Sequence, residues 1–241
     1  MTLIDVHAHI DLKDFDSDRE LVISKCDIII VNAGVDKNSN IKTIELARKY
    51  RNIIPAVGFH PEFIEKADNE IDDCIKLVKE ARAISEVGLD YYWIKDEKLR
   101  KKQKEVLHQF LEVAEKTRKP VILHNRGSIR DLIQILSSYN VKFVIHAYEG
   151  SIKDALKIVD MNGYISFPPV LIRDKYRLAV AKEVNIENIL TETDSPFLGP
   201  EKGKRNEPCN VMLTIKKLAE IKNMDYNEII NIIENNFKKL F

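Results

Sequence analysis

The sequence predicts an α/β protein built as a single (β/α)8 barrel of the TIM type. Three observations predict it. The chain has 241 residues, close to the length of one such barrel. Eight short, β-rich apolar runs alternate along it with longer charged segments of helical period. Several of these runs are apolar nearly throughout, as strands buried on both faces of a parallel sheet are.

In order, the predicted strands are 3–9 (LIDVHAH), 27–33 (DIIIVNA), 53–59 (IIPAVGF), 82–87 (RAISEV), 120–124 (PVILH), 141–146 (VKFVIH), 163–167 (GYISF) and 189–193 (ILTET). Between them lie segments such as NSNIKTIELARKY and LRKKQKEVLHQFLEVAEKTRK. In the second, Leu99, Val106, Leu107, Phe110, Leu111 and Ala114 fall close to helical spacing and leave a charged opposite face. A doubly wound open sheet is the competing architecture. It needs fewer strands and usually a Gly-rich phosphate turn after the first, which HAHIDL is not. No linker, low-complexity tract or further repeat divides the chain, so residues 1–241 are read as one domain.

Composition sets outer limits. Hydrophobic residues are 44% and charged residues 32%, and 38 Lys plus Arg balance 38 Asp plus Glu. A broad basic field for non-specific duplex binding is therefore not expected, although a local patch is compatible. Cys26, Cys74 and Cys209 are too few and too scattered for a disulfide scaffold or a cysteine zinc site. They are expected as reduced thiols in a cytoplasmic protein. The chain opens on a strand carrying Asp5 and His7 rather than on a secretory leader. No apolar run approaches the ~20 residues of a membrane span, and a monomer is expected.

The polar residues that interrupt the strands carry the chemistry. Asp5, His7 and His9 are two apart, so they share one face of the first strand. His60, His124 and His146 close the third, fifth and sixth runs, Glu86 sits near the end of the fourth, and Asp194 ends the eighth. Only His108 falls in a helical segment, and it is assigned to that helix's surface. In a parallel barrel all strand carboxyl ends meet at one face, so residues far apart in the chain converge there. Imidazoles and carboxylates together bind divalent cations. Four imidazoles and two carboxylates exceed the needs of one tetrahedral ion and suit two ions bridged by a carboxylate. A Glu86 buried among Ile84, Val87 and Leu89 would be costly without a cation or donors. Asp5 is read as the carboxylate that receives the second N–H of a metal-bound imidazole.

Taken in order, DVHAHIDL, VGFHPE, SEVGLDYYW, VILHNRGS, VIHAYEGS, YISFPPV and TETDSPFLGPEKGKRNEPCNV resemble the motif series of the TatD family of metal-dependent hydrolases. The resemblance spans nearly the whole chain. It implies a TIM-type barrel, a two-metal centre (Mg, Mn or Zn) and a nuclease-like phosphoesterase, commonly a DNase of 3′→5′ exonuclease type. By position, His7 and His9 would hold one metal with Asp194, Glu86 would bridge to a second held by His124 and His146, and His60 would lie over the site near the substrate phosphate. The chain departs from the usual pattern at Ser85, in HNRGS and in HAYEGS, the last placing Glu149 in the loop after His146.

On this reading a metal-bridging hydroxide attacks the phosphorus, with Asp194 as base and Glu86 and His60 at the reacting centre. Arg126 and the loop basics Lys202, Lys204 and Arg205 are candidates to neutralise flanking phosphates. Tyr91, Tyr92 and Trp93 are candidates to stack a base. The expected substrate is a nucleic acid, single-stranded DNA ends in particular, or a small phosphodiester. Two alternatives stand beside it. One is hydrolysis of a carboxyl ester or amide, such as an aminoacyl ester on tRNA. The other is a non-catalytic nucleic-acid-binding barrel, against which the intact set of buried charges argues.

Overall fold

A computed structural model describes residues 2–241. Its strands are β1 (Leu3–Ala8), β2 (Ile28–Ala33), β3 (Ile53–Val57), β4 (Ala83–Asp90), β5 (Val121–Arg126), β6 (Phe143–Ile145), β7 (Tyr164–Phe167) and β8 (Ile189–Thr191). They lie in one parallel sheet in chain order. The first and last strands meet through Asp194 N to His7 O at 2.8 Å, His9 N to Ser195 O at 2.8 Å and Thr191 Oγ1 to Ile4 O at 2.7 Å. The sheet thereby curls into a nearly closed barrel of the TIM type.

The helices are α1 (Arg19–Ser24), α2 (Lys37–Lys49), α3 (Ala67–Leu77), α4 (Glu97–Thr117), α5 (Ile129–Leu136), α6 (Ile152–Asp160), α7 (Lys175–Glu183), α8 (Val211–Lys222) and α9 (Tyr226–Leu240). They form the outer layer. On α4 the periodic Val106, Leu107, Phe110, Leu111 and Ala114 are buried, and the helix packs on β4. Ile229, Ile233, Phe237 and Leu240 of α9 are buried where it packs on β1 and β8. Each such side chain contributes about 1.5–3 kcal/mol on burial. Helix starts follow local chemistry: Asp36, Asp96, Ser151, Asp174 and Asp225 each accept backbone N–H groups of the first turn.

All eight expected strands form, with shifted ends. The fourth runs on to Asp90 and the fifth to Arg126 because Gly88, Leu89 and Asp90 pair with His124, Asn125 and Arg126. Gly88 disguises this continuation, since glycine weakens a strand reading. His124 thus lies inside β5 and Glu86 midway along β4. β3 stops earlier, so His60 opens the 3₁₀ turn Pro61–Lys66. His108 lies on α4, half-buried, with Nδ1 2.7 Å from Tyr139 Oη. The expectation of three reduced thiols is corrected: Cys26 and Cys209 form a disulfide across a separation of 183 residues, and Cys74 alone is a free, buried thiol. The separation hid the pairing. The segment after β8 folds back on the segment around α1, held there by Arg205 on Asp18 and by Lys25 on Glu207. No helix among the described residues is long and apolar enough to cross a membrane.

Candidate metal centre

The carboxyl ends of the strands bring His7, His9, His60, Glu86, His124, His146 and Asp194 around one cavity of about 580 Å³, whose own lining omits His7 beneath it. Two glycines make the close approach around Glu86. A Cβ on Gly58 would sit 2.6 Å from the Ser85 carbonyl carbon, and one on Gly88, with φ of 152°, would sit 2.0 Å from the His124 carbonyl oxygen. The Glu86 N–H is anchored on Gly34 O at 2.7 Å. Asp194 adopts a left-handed backbone, φ 55°, which short polar side chains tolerate better than most.

Glu86 divides the donors into two groups. Its Oε2 lies 3.5 Å from His7 Nε2 and 3.4 Å from His9 Nε2. Asp194 Oδ1 lies 3.6 and 3.4 Å from the same two nitrogens, which are themselves 3.2 Å apart. Glu86 Oε1 faces His60 Nε2 at 3.3 Å, His124 Nδ1 at 2.9 Å and His146 Nε2 at 2.9 Å. The far nitrogens fix two tautomers. His9 Nδ1 lies 2.9 Å from Ala33 O, and His124 Nε2 lies 3.0 Å from Asp90 Oδ2. In the neutral rings these atoms carry the protons, so lone pairs point at the cavity.

The electrostatics reflect five imidazoles crowded on two carboxylates. Burial disfavours charge on Glu86, yet the imidazoles His60, His146 and His7 overcome it and hold the carboxyl well below its usual range. Asp194 is lowered likewise, against burial, by His9. Burial opposes charge on His9 too, but hydrogen bonding to Asp194 and the field of Glu86 push it up to about 10. Burial and the neighbouring His146 push His7 down to about 4.

This donor set fits a divalent cation. Four donors placed tetrahedrally 2.0–2.2 Å from an ion stand about 3.4 Å from one another. The two imidazole nitrogens of His7 and His9 lie 3.2 Å apart and each lies 3.4 to 3.6 Å from Asp194 Oδ1 and from Glu86 Oε2. These are too long for strong hydrogen bonds. Three overlapping donor groups, His7–His9–Asp194, His7–Glu86–His146 and His60–Glu86–His124, each gather ligand atoms within 4.8 Å. The buried Nδ1 atoms of His7 and His146 have no partner, which is consistent with rings placed for what Nε2 faces.

The expected substrate-binding residues are less uniformly placed. Arg126 lines the cavity together with Trp93, Phe63, Phe197 and Leu12. Tyr91 does not: its hydroxyl donates to Asp131 Oδ2 at 2.8 Å, in a separate cavity. Arg205 is also absent from the lining, because Asp18 takes its guanidinium through contacts of 2.8 and 2.6 Å. Lys204 pairs with Glu201 at 2.5 Å, and Lys202 is exposed, both outside the lining. Asp5 is corrected as well. It accepts the backbone N–H of His7 and both the N–H and hydroxyl of Thr193, rather than an imidazole N–H, because the rings project beyond it toward the cavity.

Three residues escaped the sequence reading. Asp90 orients His124. Glu192 takes the Ala147 N–H and the Ser166 hydroxyl, the latter at 2.9 Å, and lies 3.8 Å from His146 Nδ1; its burial pushes the carboxyl up to about 7. Arg177, paired with Asp174 and Glu149, lines the cavity. Signals for the first two were present: Asp90 and Glu192 are acids inside the apolar runs EVGLD and ILTETD.

A family model for TatD-related DNases matches residues 4–241. An uncharacterized metal-dependent hydrolase of Methanocaldococcus jannaschii is 35% identical over 245 residues, covering 99% of this chain and 96% of that protein. The deoxyribonuclease TATDN3 of Homo sapiens is 29% identical over 258 residues, covering 99% of this chain and 94% of that protein. The crystal structure of the TatD homologue YJJV from Escherichia coli matches the fold with a TM-score of 0.91 at 24% identity, over 99% of this chain and 97% of that one.

Proposed function

The chain belongs to the TatD family of metal-dependent hydrolases, and from that premise we propose that it hydrolyses phosphodiester bonds at single-stranded DNA ends, in the 3′→5′ direction, with two divalent ions (Mg, Mn or Zn) shared across Glu86. The observation that carries this reading is the division of labour at Glu86, whose two oxygens face separate donor groups. His7, His9 and Asp194 would hold one ion, and His124 and His146 the other, with Glu86 between. When bound, such a pair supplies Lewis acidity toward a phosphoryl oxygen and lowers the pKa of a water beside it.

The remaining work falls to side chains. Asp194, kept ionised by His9 against its burial, would take the proton of the attacking water, a role worth about 10²–10⁴-fold. His60, whose Nδ1 accepts the Glu62 N–H at 3.1 Å, carries its proton on Nε2, 3.3 Å from Glu86 Oε1, and would donate it to a non-bridging phosphate oxygen brought beside that carboxylate. Arg126 offers its guanidinium to a flanking phosphate. The apolar wall of Leu12, Phe63 and Phe197 limits water around the reacting bond and strengthens each of these interactions.

The test is a substrate panel on chelator-treated protein reloaded with Mg, Mn or Zn: end-labelled single-stranded DNA, a chromogenic phosphodiester and a carboxyl ester. Metal-restored cleavage of the first two, with label released from the 3′ end, is expected. Turnover of the ester alone would replace the phosphodiesterase reading with the ester-hydrolase one. Full activity with excess chelator would remove the metals from it.

A further inference from the structure

We propose that a single-stranded polynucleotide leaves the metal-centre cavity along one built path, over Trp93 and Tyr92 and into a second cavity floored by Tyr91 and rimmed by Arg100, Lys101 and Lys104. This deepens the phosphodiesterase reading and rests on it.

The second cavity, of about 300 Å³, is lined by those four residues with Glu97 and Asp131. Three consecutive aromatic residues that follow β4 run between the two linings. Trp93 lines the metal-centre cavity and Tyr91 lines the second. Tyr92 and Trp93 are 50% and 57% exposed and meet edge to face with ring centres 4.8 Å apart, so they form one contiguous aromatic patch rather than scattered rings. Cations alternate with these rings. The Arg126 guanidinium lies 4.1 Å from the Tyr92 ring centre and 5.5 Å from that of Trp93. Lys95 Nζ lies 5.3 Å from the Tyr92 ring, and the Arg100 guanidinium 4.6 Å from the Tyr91 ring.

Alternating cations and aromatic faces are what single strands bind: bases stack on the rings while the cations follow the phosphates. The path is held in shape from below. Asp90 Oδ1 accepts the Tyr92 and Trp93 N–H groups at 2.9 and 2.7 Å, and Arg100 donates to Ile94 O and Tyr91 O at 2.9 and 3.1 Å. The two carboxylates of the second cavity are already engaged. Asp131 takes the Tyr91 hydroxyl and Lys104, and Glu97 takes Arg100 at 2.8 Å. Lys101 remains free to meet a phosphate, its side chain 81% exposed and 3.9 Å from Glu105. Elsewhere the guanidiniums are taken up, Arg177 in the cavity lining by Asp174 and Glu149, and Arg205, outside that lining, by Asp18 and Glu207.

Trp93 is the single tryptophan of the chain, so its emission reports occupancy of the path without turnover. Metal-stripped protein is titrated with oligothymidylates of about two to about twelve nucleotides at several salt concentrations. Quenching of Trp93 is expected, with affinity rising at least tenfold between the shortest and longest oligomers. The double variant Lys101→Ala, Lys104→Ala should bind the longest oligomer several-fold more weakly, with a log–log salt slope shallower by about 0.7, the value for the one phosphate contact that Lys101 is free to make on a single strand; Lys104, held by Asp131, adds no second one. Equal affinity at all lengths, an unchanged slope in the double variant, or binding of a fluorescent oligomer with no change in Trp93 emission would each overturn the path. Because binding is read without metal, a path that holds while the metal-loaded enzyme fails to cleave any phosphodiester would sink the proposed function instead.

Discussion

Glu86 Oε1 and His124 Nδ1 face each other at 2.9 Å, a lone pair against a carboxylate oxygen unless a proton or a cation lies between them. The opposite oxygen of the same carboxylate faces His7 and His9. One neutralising substitution therefore acts on both donor groups. Glu86→Gln is expected to lower metal content in both, with affinity down by at least about 100-fold. His9→Ala or His124→Ala should each deplete one group. Elemental analysis after gel filtration separates the cases, and full metal occupancy in Glu86→Gln would contradict a shared carboxylate.

Asp194→Asn keeps the shape of a side chain whose backbone sits in the left-handed region, a region that asparagine also tolerates. It removes the negative charge that His9 stabilises. Hydrolysis should fall by about 10²–10⁴-fold, while circular dichroism and melting of the metal-loaded protein stay close to wild type. Near-normal turnover in this variant would take Asp194 out of the proton transfer.

The barrel and the donors that end its strands were legible because both rest on local pattern: apolar runs of strand length, helical period between them, and charges where no charge belongs. What failed to show has long-range causes. Gly88 reads as a strand breaker, yet it is the close approach to His124 that requires it, and the misreading cut β4 short of Asp90. Cys26 and Cys209 lie 183 residues apart, so no local pattern links them. The fate of basic residues is decided by neighbours. Arg126 and Arg205 are alike in sequence, but Asp18 takes up only the second. Tyr91 and Trp93 project to different cavities although residues two apart share a face of an extended chain, because the strand ends at Asp90 and the turn that follows it separates them.

Protonation competes with metal in this cluster, with a defined sign. In metal-free protein, burial works against charge on both rings, but Asp194 and Glu86 raise His9 to about 10, and Asp90 and Glu86 raise His124 to about 9. Both exceed the value of about 6.5 for an unfolded chain. Their stabilisation is thus fully present below pH ~6.5 and is lost as pH rises through ~9 and ~10. His7, lowered to about 4, has the opposite sign and costs stability only as pH falls from ~6.5 through ~4. The melting temperature of chelator-treated protein should therefore fall from neutrality to pH ~10. Metal should remove that decline and bind more tightly across the same window, since binding releases these protons. A pH-independent melting temperature without metal would refute the assignment.

Asp90 serves two masters with two oxygens: Oδ2 lies 3.0 Å from His124 Nε2, and Oδ1 accepts the Tyr92 and Trp93 N–H groups. Asp90→Asn separates these roles. The amide oxygen can keep the loop, and the amide nitrogen then turns its own hydrogens toward His124 Nε2. The ring is driven to the other tautomer, which places a proton on Nδ1, the atom facing Glu86. Metal affinity at this group should fall by about 10–100-fold, while thermal stability changes little and the His7–His9 group keeps its metal. Asp90→Ala removes both contacts and leaves two loop N–H groups without an acceptor, at about 1–3 kcal/mol each if they stay buried, so it should also lower the melting temperature. Titration calorimetry with a divalent ion, paired with thermal unfolding of each variant, distinguishes the outcomes. Equal loss of metal and of stability in both variants would mean that Asp90 acts through the loop alone.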